Sequence, residues 1–105
     1  MRVIEFGDTF DNGMVVGHEE IDGLYSKIFP EKKQFKTAPN WFYLFLVDDN
    51  EKLIGIASGG VSDKVIINHL GLVEEHHGSG LEKKLIDYLK KNYPNKEILI
   101  EVSRV

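Results

Sequence analysis

The sequence predicts one domain of the α+β (α/β) class over residues 1–105, built on a single mixed β-sheet, and three observations predict it. Apolar residues gather at strand-like spacing in five segments and at helical spacing in two, in the order β-α-β-β-β-α-β. The closing strand–helix–strand unit implies two parallel strands joined by a right-handed crossover. A chain of 105 residues has room for one core and little for a second.

The first strand is expected over Arg2–Phe6, where Val3, Ile4 and Phe6 favour extended backbone. Gly7–Gly13 is rich in Gly, Asp and Asn and forms a loop. Helical spacing follows over Gly17–Phe29, with Ile21, Leu24, Tyr25 and Ile28 on one stripe. Glu19, Glu20 and Asp22 suit its positive end and Lys27 its negative end, while Pro30 stops it. Glu31–Asn40 is polar and basic, a loop or a short, poor helix. Trp41–Val47 is apolar without a break, as in a strand covered on both faces. Turn chemistry at Asp48–Glu51 leads to a strand over Lys52–Ser58, then a turn over Gly59–Asp63 and a third meander strand over Lys64–Leu72. Helical spacing returns over Gly80–Tyr93, where Leu81, Leu85, Ile86 and Leu89 share a stripe, and Pro94-Asn95 ends it. Glu97–Ser103 is the last strand.

Composition narrows the function classes. The net charge of −4 gives the surface as a whole no attraction for nucleic-acid phosphates, so no nucleic-acid partner is expected. The chain has no cysteine, which excludes disulfides, thiolate metal sites and a cysteine nucleophile. No apolar run reaches membrane-spanning length and the N-terminus does not read as a signal peptide, so a cytosolic protein without membrane attachment is expected.

The segment with most chemistry in it is His77-Gly78-Ser79-Gly80-Leu81, where a strand gives way to a helix. At such a junction unpaired N–H groups and the helix dipole favour an anion, and glycine lets backbone approach the ligand closely. A Gly-x-Gly turn is also ordinary turn chemistry. Ser79-Gly80-Leu81-Glu82 further fits a capping box, in which Ser79 and Glu82 would satisfy the helix's own free N–H groups.

The element order and this turn resemble the first two-thirds of the GNAT N-acetyltransferase fold. In that family the corresponding strand runs into an Arg/Gln-x-x-Gly-x-Gly/Ala loop whose amides hold the pyrophosphate of acetyl-CoA. His77-Gly78-Ser79-Gly80-Leu81-Glu82 occupies that place here, after Leu70-Gly71-Leu72-Val73-Glu74-Glu75-His76. The family's Arg or Gln is His77, a proline is replaced by Glu74, and a small residue by Glu82. The resemblance implies acetyl-CoA as cosubstrate and an amine-bearing acceptor, a small molecule or a protein lysine or N-terminus. It implies that Leu70 and Leu72 hold the pantetheine arm by their backbone. His77, Gly78, Ser79, Gly80 and Leu81 would then hold the pyrophosphate. It also implies a further helix and strands after the fifth strand; their absence from the sequence leads to the expectation of a catalytically incomplete site or one completed by a second chain, with a homodimer through Ile98–Ser103.

Direct transfer needs a proton acceptor, and His69 has a suitable intrinsic pKa; it is otherwise a satisfied polar residue. His69 and Asn68 are neighbours on a strand and are expected to face opposite sides. His76 and His77 are adjacent and poorly placed to share a metal, and no metal is expected. Phe42 and Phe45 are assigned to the core, and Trp41, Tyr25 and Tyr43 either to the core or to an acceptor pocket. Lys32, Lys33 and Lys36 form a solvated basic patch or touch a phosphate or a partner. Three functions remain: N-acyl transfer, a GNAT-like protein-interaction module, and an acyl-CoA-binding module without chemistry.

Overall fold

The structure, a computed structural model, describes residues 1–9, 13–31 and 40–105. The basic patch at Lys32, Lys33 and Lys36 lies outside the described residues. One five-stranded sheet carries the fold, with strands in chain order: β1 (Arg2–Glu5), β2 (Trp41–Val47), β3 (Leu53–Val61), β4 (Val65–Leu72) and β5 (Ile98–Arg104). The first four are antiparallel neighbours, and β5 lies parallel to β4. Helix α1 (His18–Ile28) joins β1 to β2, and α2 (Glu82–Asn92) joins β4 to β5. The expected order of elements is the observed one, and the class is α+β with a mixed sheet.

Both helices bury the stripes their spacing predicts. Ile21, Leu24, Tyr25 and Ile28 of α1 are buried, as are Leu85 and Leu89 of α2. Helix α1 starts at Gly17, whose N–H donates to Glu20 Oε2 at 3.0 Å, so the glutamate satisfies one of the free amides of the first turn. The two helices cover opposite faces. Tyr25 bonds Ser58 on one face, and Tyr88 stands near Glu5, which alternation sends to the other. Gly71 lets α1 sit close: a Cβ there would stand 2.3 Å from Ile28 Cγ2 and 3.2 Å from the Phe29 ring.

Two expectations at β3 and β4 need correction. Gly59 and Gly60 belong to β3, which runs on to Val61, and the turn shrinks to the residues around Ser62–Lys64. The glycines allow close packing here rather than reversal of the chain. Ser58 pairs with His69 and Gly59 with Ile67, so Asn68 is the extra residue of a β-bulge. A Cβ on Gly59 would lie 1.8 Å from the Ile66 carbonyl oxygen, a distance only glycine permits. The bulge also shifts the alternation of β4 by one residue. Val65 and Ile67 before it and Leu70 and Leu72 after it are all buried on the α2 side, while Asn68 and His69 share the α1 side. The expectation that these two neighbours face opposite ways therefore fails.

Phe45 is fully buried and Phe42 partly so, whereas Trp41 is 40% exposed at the start of β2. Strands β1 and β5 are the two edges of the sheet, and Leu99, Ile100 and Val102 are 39%, 44% and 41% exposed on β5. Among the described residues no helix is long and apolar enough to cross a membrane.

The bulge yields a stability test by urea denaturation. Gly59→Ala is expected to cost about 3 kcal/mol or more, because backbone must move. Gly23→Ala, mid-helix with open space around its missing Cβ, is expected to gain about 0.5–1 kcal/mol.

Candidate functional site

The loop between β4 and α2 opens with a single 3₁₀ turn at Glu74–His76 and continues through His77 to Leu81. Gly78 and Gly80 have φ of +79° and +78°, so both stand in the left-handed region where glycine is favoured. Two left-handed steps in three residues turn the chain from the end of β4 into α2.

The amides of this loop are largely engaged within the chain. Gly78 N–H donates to the Val105 carbonyl at 2.8 Å, and Ser79 N–H to the His76 carbonyl at 3.2 Å. Leu81 N–H donates to Ser79 Oγ at 3.3 Å, and that hydroxyl donates to the His76 carbonyl at 2.6 Å. The Ser79–Glu82 capping box is thus not formed: Leu81 is the N-cap and Ser79 Oγ serves the turn before it. The Glu82 side chain does not reach back to the loop either, and its Oε2 is buried without a hydrogen bond. The N–H groups of Gly80 and Glu82 remain without a partner among the described residues, at the positive end of α2.

Beside the loop lies a cleft of about 300 Å³ between the end of α1 and the ends of β4 and β5. Lys27, Arg104, His77 and Glu74 line it, with Ile28, Pro30 and Leu72 as its apolar wall. Arg104 is held in place from three directions. Its guanidinium lies over the Phe29 ring at 4.9 Å, donates to the Ile28 carbonyl at 2.9 Å and pairs with Glu31. His77 Nε2 donates to the Leu72 carbonyl at 2.8 Å; a carbonyl only accepts, so the proton sits on Nε2.

The backbone of β4 is paired on both edges along the stretch expected to hold an extended ligand. Leu70 faces Ala57 of β3 on one side and Ser103 of β5 on the other, and the pairing continues through Gly71 and Arg104. Both the Leu70 and Leu72 side chains are buried against α2. A linear molecule joins this edge only if the end of β5 moves aside.

His69 lies on the opposite face, edge-on to Tyr25 at 5.7 Å and to Phe29 at 5.1 Å between ring centroids. The structure thus groups Gly78, Ser79, Gly80, Leu81 and His77 in one loop with Leu72 below it, and keeps His69 apart under α1. Lys27 and Arg104 escaped the sequence reading. Lys27 appeared there only as a helix-terminal charge, and Arg104 reaches the cleft through contacts with residues more than seventy positions away. Among the described residues no three His, Asp or Glu side chains are grouped to hold a metal ion.

Under α1 the Tyr25 hydroxyl bonds the fully buried Ser58. Burial pushes its pKa from 10.0 up to about 12. The folded state therefore holds this proton more tightly than the unfolded chain. The stabilisation is complete below pH 10 and is lost as the pH climbs towards 12. Tyr25→Phe is expected to flatten the fall in denaturation midpoint over that range. At neutral pH it should cost about 1–3 kcal/mol, since Ser58 loses its buried partner.

Comparison of the sequence with models of protein families and with curated proteins gives no match in either case.

Proposed function

We propose that the chain is a GNAT-like acyl-CoA domain of the class that transfers an acetyl group from acetyl-CoA to a primary amine. One observation carries this reading. The strand–glycine turn–helix–strand unit presents the unpaired N–H groups of Gly80 and Glu82 at the positive end of α2, in a loop that borders a cleft lined by Lys27 and Arg104. Those groups suit a pyrophosphate and its neighbouring phosphates. The amides of Gly78, Ser79 and Leu81 join them when the loop releases its internal bonds. The pantetheine arm takes the β4 edge at Leu70 and Leu72 once the end of β5 swings away.

In the transfer itself the neutral amine attacks the thioester carbonyl. A C–N bond forms, the C–S bond breaks, and the CoA thiolate leaves while the nitrogen gives up a proton. His69 is the chain's candidate acceptor for that proton, reached from the α1 face. The cytosolic location expected from the sequence belongs to the same proposal.

Calorimetric titration with acetyl-CoA tests it. Binding is expected in the wild-type chain. It should tighten in Glu82→Ala, which removes a carboxylate from the first turn of α2, and vanish in Gly80→Glu, provided circular dichroism shows that variant folded. No heat from the wild-type chain, or identical affinity in all three, would overturn the reading.

A second reading is favoured by β5. Its outer edge exposes Leu99, Ile100 and Val102 with no lysine or proline to guard it, the profile of a strand that pairs with another. On this reading the domain is an interaction module, and the partner is a second copy joined edge to edge. Sedimentation should show a dimer that Val102→Lys dissolves. A monomer at every concentration sinks it.

A further inference from the structure

A second concavity, of about 320 Å³, opens on the α1 face of the sheet at the far end from the glycine loop. Its walls are Trp41, Gly60, Ile66, Asn68 and Glu101, with Val61 and Ser62 at the rim. Trp41 faces Gly60 across β2 and β3, and Gly60 faces Ile66 across β3 and β4. A Cβ on Gly60 would touch the indole at 3.5 Å, so the ring lies across the glycine. Tyr43 flanks it on the same face, 6.5 Å between ring centroids. The indole remains 40% exposed.

The carboxylate of Glu101 stands in the same hollow. The bulge in β4 turns Asn68 to this face, and its Nδ2 donates to Glu101 Oε2 at 2.6 Å. One carboxylate oxygen is therefore fixed by an amide, which supplies no charge. Among the described residues no cation pairs with Glu101. The hollow thus combines an exposed aromatic ring, an apolar wall at Ile66 and an oriented anion that has no counter-charge among the described residues.

We propose that Trp41, Asn68 and Glu101 form a binding site for an alkylammonium group, a primary amine carried on an aliphatic chain. The ammonium pairs with Glu101 and lies against the indole, while its methylenes cover Ile66 and Gly60. The volume is at the low end for a ligand pocket, which suits one amine or one lysine side chain. A net charge of −4 favours approach of a cation. The inference stands on this hollow alone and is independent of acyl transfer, since the site is read without acetyl-CoA.

Trp41 is the chain's single tryptophan, so intrinsic fluorescence reports on this site directly. Titration with n-pentylamine is expected to change the emission saturably, whereas n-pentanol, of the same length and uncharged, does not. Glu101→Gln keeps the shape and the Asn68 contact and should weaken the amine about three- to tenfold; Asn68→Ala should weaken it less. In Trp41→Phe, followed by amide chemical shifts, about threefold loss is expected. Nα-acetyl-lysine methylamide separates the two sources of such a group: tighter binding than pentylamine assigns the site to protein lysines, weaker binding to free amines. Equal responses to pentylamine and pentanol, or an unchanged midpoint in Glu101→Gln, would overturn the proposal. Absence of acetyl-CoA binding in the separate titration leaves it standing.

Discussion

The close approach of Gly59 to the Ile66 carbonyl is the constraint on which the arrangement of the sheet depends. It permits the bulge at Asn68, and the bulge resets which side of β4 each residue faces. With strict alternation Val65 and Ile67 could not share a face with Leu70 and Leu72. One of the two pairs would leave the α2 side, and the layer over Leu85 and Leu89 would lose half of its partners on β4. The same displacement brings Asn68 and His69 together on the α1 face. There one steers Glu101 and the other packs between two aromatic rings. A packing solution on one side of the sheet thus determines the polar chemistry on the other.

Element order was legible because the periods were unambiguous. The stripe of Ile21, Leu24, Tyr25 and Ile28 has no strand interpretation, and Trp41–Val47 is too short and too uniformly apolar for an exposed helix. The glycines at the end of β3 misled because Gly-Gly serves equally a reversal and a tight cross-strand approach. Local spacing does not distinguish these; the partner at Ile66 does. The motif Ser79-Gly80-Leu81-Glu82 misled for a related reason. A capping box needs its first residue at the N-cap, and the left-handed step at Gly80 delays the start of α2 until after Leu81. The glycine turn itself lies where the spacing put it, at the strand–helix junction.

The fate of the loop amides was not legible at all. Gly78 donates to Val105, and Arg104 reaches Ile28 and Glu31, so the environment of the loop depends on the far end of the chain. The resemblance to an acyl-CoA loop lives in a few consecutive residues, whereas access to that loop is controlled by β5. Trp41 shows the same division between local and distant information. Its place at the head of an apolar run left core and pocket both open, and it is the glycine opposite and the carboxylate on β5 that make its surroundings a recess rather than packed interior.

Strand order that follows chain order has a consequence for cooperativity. β2, β3 and β4 are joined by short turns and each is flanked by strands on both sides, whereas β5 is held along one edge, with several of its side chains in solvent. Peeling of β5 from β4 is therefore one local opening available to this molecule, as the loss of β1 is at the other edge. The amides of β5 would exchange with solvent ahead of those of the inner strands β2, β3 and β4, in a unit that includes the bond from Gly78 to Val105. This edge segment is also the one that seals the β4 edge and the glycine turn, so its opening bares them together.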